Sequence, residues 1–115
     1  MKTSFLFAVA FASVVAAPPA WADEAGVAAG RKLALEICVN CHIVEAGQTR
    51  APTLDPPAPS FAEIVGRPDV TAASLRAFLA EPHGDSRRGS AMPPFLLAQS
   101  EVDSVVAYLV SLKAR

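Results

Sequence analysis

The chain has 115 residues, 10 Lys and Arg against 11 Asp and Glu, a formal net charge of −1 and 52% hydrophobic residues. That length holds one domain and excludes a multidomain enzyme. High hydrophobicity with near-zero net charge excludes a disordered chain, and the slightly acidic balance excludes a basic nucleic-acid binder.

The first segment reads as a leader. Met1-Lys2-Thr3-Ser4 is a short basic start, residues 5–17 run apolar apart from Ser13, and Ala20-Trp21-Ala22 precedes Asp23-Glu24. This is the pattern of a secretory signal with an A-x-A cleavage site. The apolar run falls short of the roughly 20 residues that span a bilayer as a helix. Residues 1–22 are therefore expected to be a cleaved signal peptide and residues 23–115 the working domain, with no membrane span after cleavage. A domain this small, carrying Pro52, Pro56, Pro57, Pro59, Pro68, Pro82, Pro93 and Pro94, buries a modest core and calls for a staple: a disulfide, a metal or a large cofactor.

Four helices follow. The first is expected from residue 24 or 25 to about 38, with Val27, Gly30, Leu33, Ala34 and Ile37 at helical spacing. Gly30 in mid-helix suggests close approach by another backbone. Ser60-Phe61-Ala62-Glu63 is a capping box that opens a short second helix, stopped by Gly66-Arg67-Pro68. The third starts after Thr71 as N-cap, carries Leu75, Phe78 and Leu79, and ends at Pro82. The fourth starts at Ser100, with Asp103 at its third position. Val102, Val105, Val106, Leu109 and Leu112 share one broad face. No stretch alternates long enough for a strand. Residues 43–59 and 82–99 form long Pro- and Gly-containing loops, of a length that is usually functional when it occurs in a compact domain.

The chemistry sits at Cys38-Val39-Asn40-Cys41-His42. C-x-x-C-H is the attachment signal for c-type haem. Two cysteines three apart lie on one side of a turn and can add to two vinyl groups on one porphyrin edge. The adjacent histidine then offers a ring nitrogen to iron, and its second nitrogen needs an acceptor that fixes its orientation. A disulfide across C-x-x-C would close a small loop and be a poor staple. A thioredoxin-like site needs a βαβ context that this pattern lacks, and zinc would need two more close ligands where only His83 remains. For the second axial position the residues leave two candidates, Met92, stiffened by Pro93-Pro94, and His83; an open position is the third possibility.

The chain resembles the class I, mitochondrial-type cytochromes c, and more closely their small bacterial periplasmic relatives, over nearly all of residues 26–113. Gly30 stands eight residues before Cys38. Ala58-Pro59-Ser60-Phe61-Ala62-Glu63-Ile64-Val65-Gly66-Arg67 is similar to the family's G-P-N-L-x-G-L-x-G-R stretch, and Val106-Ala107-Tyr108-Leu109 to its I-A-Y-L. The resemblance implies an all-α cytochrome c fold of about four helices, with the N- and C-terminal ones crossing around one haem c attached through Cys38 and Cys41. It implies His42 and Met92 as iron ligands, the Pro59 carbonyl as acceptor for His42, Arg67 near a propionate, and Tyr108 against Gly30. Phe78 stands where a tyrosine often lies near the Met sulfur. The loop after His42 is longer than the mitochondrial one, so Pro52 is a rival to Pro59.

The expected core is Leu33, Ile37, Phe61, Ile64, Leu75, Phe78, Leu79, Phe95, Val105, Val106, Tyr108 and Leu109, packed on the porphyrin. The expected function is one-electron transfer in the periplasm by a monomer that is not an enzyme. It would shuttle electrons between a dehydrogenase or respiratory complex and a terminal acceptor. Its redox partners would dock transiently; Lys32 and Lys113 are the only lysines after residue 22, so strongly acidic docking sites are not expected. Arg87-Arg88 reads as a solvated pair rather than a docking patch. The alternatives are a haem subunit of a periplasmic oxidoreductase and a ligand-binding haem sensor.

Overall fold

The computed structural model describes residues 20–80, 92–93 and 95–113. Helix α1 spans Ala20–Glu36, α2 Phe61–Gly66, α3 Ala72–Ala80 and α4 Gln99–Lys113. The described residues are all-α; the nearest thing to a strand is an isolated parallel bridge between His42 and Ala58. Among them no helix is long and apolar enough to cross a membrane.

The helix α1 starts earlier than expected, because the alanine-rich stretch ahead of Gly30 has high helix propensity. It therefore runs across the expected cleavage point after Ala22. It also ends earlier, at Glu36. The Ile37 N–H still bonds Leu33 O at 3.0 Å, and the chain then tightens into a 3-10 turn over Cys38–Asn40. The second helix opens on the expected box: the Ser60 hydroxyl accepts from the Glu63 N–H at 3.2 Å, and the Glu63 carboxylate accepts from the Ser60 N–H at 2.7 Å. Thr71 caps α3 by accepting from the Ser74 N–H at 3.1 Å; the expected stop at Pro82 lies outside the described residues. The helix α4 departs from expectation. Its cap position is Ala98, not Ser100, and Glu101 reaches back to the Ala98 N–H at 2.7 Å. A carboxylate at the third helical position satisfies that donor even though alanine has no capping side chain.

The helices α1 and α4 cross through Gly30. A Cβ there would overlap the Ser104 carbonyl group and come within 2.9 Å of Val105 N. The close approach therefore falls on the Ser104–Val105 backbone, one turn before Tyr108. Around the crossing the core comprises Ala34, Val39, Val44, Phe61, Val65, Leu75, Val102, Val105, Val106, Tyr108 and Leu109. The Arg76 guanidinium meets Asp103 at 2.9 Å and ties α3 to α4.

Two residues of the expected core are not covered by protein. Phe78 is 51% exposed and Phe95 37% exposed. Leu75 and Leu79, four apart, take the face of α3 that packs inward, and Phe78 falls beside it. Phe95 lies in irregular chain ahead of α4. Leu33, Ile37, Ile64 and Leu79 are half-buried.

The capping box makes a stability prediction. Ser60→Ala removes the acceptor for the Glu63 N–H and is expected to cost about 1 kcal/mol, read as a lower urea midpoint at unchanged slope. Hydrogen bonds from the Ser60 hydroxyl and N–H hold the Glu63 carboxyl below the usual carboxylate range. Its contribution is thus full above the ordinary carboxylate pKa and fades as pH falls through the lowered folded value. The loss in Ser60→Ala should accordingly shrink in strong acid.

Candidate functional site

The site is built where α1 runs out. The Cys41 N–H donates to Cys38 O at 3.1 Å and the His42 N–H to the same oxygen at 2.9 Å, so both thiols and the imidazole spring from one tight turn. The Ala58 N–H donates to Cys41 O at 2.9 Å and the Phe61 N–H to Ile43 O at 2.9 Å. These two bonds bring the far end of the loop back alongside His42. They seat the Pro59 carbonyl 2.7 Å from His42 Nδ1.

A carbonyl can only accept, so Nδ1 carries the proton and the neutral ring keeps its lone pair at Nε2. The ring is 9% exposed and packs on Phe61, centroids 5.7 Å apart and tilted 57°. Pro52, the rival acceptor, precedes Thr53, whose N–H and hydroxyl both serve Asn40 O, at 2.9 and 3.0 Å.

Polar side chains that the sequence does not single out stitch the rest of the loop. Gln48 Oε1 accepts from the Val44 and Glu45 N–H groups at 2.7 and 3.3 Å, and its amide donates to Arg50 O at 2.8 Å. Arg50 donates to Glu36 O at 3.3 Å and to Asn40 Oδ1 at 3.1 Å, closing the loop onto the 3-10 turn. Arg31 pairs through two 2.6 Å bonds with Glu45, and the Tyr108 hydroxyl donates to Val44 O at 3.3 Å. These contacts are scattered in sequence and follow no period, so the only prior sign of them is the turn at Gly47, whose φ is 74°.

Both cysteines are free thiols. Burial pushes Cys38 up to about 11. Among the described residues no group of three or more His, Cys, Asp and Glu side chains could hold a metal ion by itself. The donor set instead fits a haem: two free thiols on one turn, and a histidine with Nδ1–H already fixed and Nε2 left for iron. Large apolar side chains are exposed at Ile43, Leu54, Phe78, Phe95, Leu96 and Val110.

The other expected site residues sit on separate elements. Arg67 is exposed at the C-cap of α2, Phe78 is exposed on α3, and Met92 is half-buried in irregular chain before α4. His83, Arg87 and Arg88 lie outside the described residues.

An all-α domain whose first and last described helices cross beside a C-x-x-C-H turn defines a small haem protein of the c type. The cytochrome c family model matches residues 27–113. Cytochrome c-552 of Bradyrhizobium diazoefficiens is 37% identical over 84 residues, 73% of this chain and 72% of that protein. No solved structure is a significant match. The chain belongs to the cytochrome c family, whose members bind haem c, carry electrons between redox partners and are generally not enzymes.

Proposed function

We propose that this protein is an exported one-electron carrier of the periplasm. Residues 1–22 act as its cleaved signal peptide, and one haem c is attached through Cys38 and Cys41, with His42 and Met92 as axial ligands. The observation that carries the reading is the 2.7 Å bond from His42 Nδ1–H to Pro59 O, made on the same turn that bears both thiols. The haem, when bound, supplies reversible one-electron chemistry at iron.

The chain's own residues do the rest. Cys38 and Cys41 anchor the porphyrin edge. Pro59 holds the His42 ring in one orientation and one tautomer, so Nε2 is aimed without rearrangement. Met92 offers a neutral thioether, which favours the reduced state over a second histidine. Phe78 and Phe95 would cover apolar faces of the bound group and keep water back, and Arg67 would pair with a propionate. Donors and acceptors meet an exposed edge transiently as the protein works as a monomer.

The test is the visible spectrum of the mature protein, ferric and ferrous, in wild type and Met92→Ala. The expected wild type keeps its haem through acid–organic extraction and is low-spin in both states. Met92→Ala is expected to lose the weak ferric sulfur-to-iron band and to bind carbon monoxide when reduced. An unchanged low-spin spectrum in the variant would assign the position to His83. A high-spin wild type would replace the carrier reading with the oxidoreductase-subunit or sensor reading.

A further inference from the structure

The Pro59–Ser60 peptide is engaged on both edges. Its carbonyl accepts from His42 Nδ1 at 2.7 Å. Its N–H donates to Glu63 Oε2 at 2.7 Å. The bond is trans, since the only cis peptide among the described residues is Asp55–Pro56, so the two groups point in opposite directions. Imidazole, peptide and carboxylate therefore form one continuous chain: Nδ1–H to O=C, then N–H to a charged oxygen.

Such chains are cooperative. A carboxylate accepting from an amide N–H is a charge-assisted bond, and it draws the amide proton toward itself. That moves electron density onto the carbonyl oxygen of the same peptide and makes it a stronger acceptor. A stronger acceptor at Nδ1–H leaves more basicity at Nε2, the effect that carboxylates exert directly on metal-bound histidines. The Ser60 hydroxyl also donates to Glu63 Oε2 at 2.7 Å, which fixes the carboxylate in place. Its lowered pKa keeps it charged at neutral pH.

We infer that Glu63 is a positioning and tuning residue for His42, acting through the Pro59–Ser60 peptide to strengthen the histidine as an iron ligand and so favour the ferric state. The inference rests on His42 being the proximal haem ligand. It assigns the capping box of α2 a second role: the side chain that opens the helix also sets the electronic character of the ligand.

The experiment uses the holoprotein and Glu63→Gln. Glutamine at this helix position still accepts from the Ser60 N–H, so the box and the fold are retained while the charge is lost. Glu101→Gln is the control, because Glu101 makes the same kind of 2.7 Å bond to a cap N–H at the start of α4 and has no connection to His42. At a fixed ambient potential the ferrous-to-ferric ratio of Glu63→Gln is expected to rise about threefold, ~28 mV at 59 mV per tenfold for one electron. The His42 Nδ1–H proton of the ferrous protein should move upfield in the same variant, as its bond to Pro59 weakens. Glu101→Gln should shift neither.

Equal potentials in the wild type and Glu63→Gln would overturn the inference. So would a potential shift that Glu101→Gln reproduces, or one that leaves the Nδ1–H resonance in place, since either would be bare surface charge acting through space. Release of Arg67 from its attraction to Glu63 also falls in that last class, because it leaves Nδ1–H unmoved. In all these cases a covalently bound, low-spin haem would leave the carrier reading intact. A wild type without bound haem would remove that reading itself.

Discussion

Gly30→Ala is expected to destabilise the protein by about 3 kcal/mol or more, at the upper end of what overpacking costs. The added Cβ meets main chain, the Ser104 carbonyl and Val105 N. No rotamer change relieves a clash with backbone, so α1 and α4 must separate along their crossing. Alanine is the better helix former by about 1 kcal/mol, and that gain is too small to offset the separation. Set against a total stability of roughly 5–15 kcal/mol, the loss is severe. It should appear as a fall in melting temperature of about 12 °C or more, at some 4–8 °C per kcal/mol for a domain of this size. Gly26→Ala is the matched control, since the nearest atom to its Cβ is that of Ala107 at an ordinary 3.8 Å. It should be neutral or slightly stabilising. Equal melting temperatures for the two variants would mean that the crossing yields easily and does not set the stability.

Phe61→Ala is expected to cost about 3–5 kcal/mol, the usual range for emptying a buried aromatic site. It also reaches the functional site. Phe61 is 4% exposed, packs on His42 on one side and lies 6.3 Å from the Tyr108 ring on the other. Its own N–H, bonded to Ile43 O, belongs to the backbone and survives the change. The variant should therefore keep the loop closed but leave the imidazole less confined. Two measurements separate these effects: the denaturation midpoint reports the lost packing, and solvent exchange of the His42 Nδ1–H proton reports the loosened ring. Phe61→Leu should recover most of the stability. Unchanged exchange in Phe61→Ala would show that the hydrogen bond to Pro59 alone holds His42.

What could be read from the sequence followed from local chemistry. The C-x-x-C-H turn, the Ser60–Glu63 box, the Thr71 cap and the apolar face of α4 each depend on residues within a few positions of one another. Gly30 was legible as a site of close approach, and the resemblance placed its partner on the right helix at Tyr108; the main chain that a Cβ would meet lies one turn earlier, at Ser104 and Val105. Ala34, Val39, Val44, Val65 and Val102 were missing from the expected core. Val39 and Val44 sit in irregular chain around the attachment turn, where no period marks an inward face. Asn40, Gln48 and Arg50 were missed for a related reason: each serves backbone groups whose need for a partner exists only once the loop has closed. Placing the start of α4 at Ser100 favoured a serine cap over the carboxylate of Glu101, which does the work from three residues inside.

The crossing at Gly30 also governs when this chain can fold. Helices α1, α2 and α3 all pack on α4, the last of them in the chain, and α4 supplies Val102, Val105, Val106, Tyr108 and Leu109 to the core. Contacts of such long sequence separation must wait for the loop between them to close. During synthesis α1 emerges first and stays solvated until Val102, Val105 and Val106 arrive. Until then the core lacks the helix on which its other helices pack.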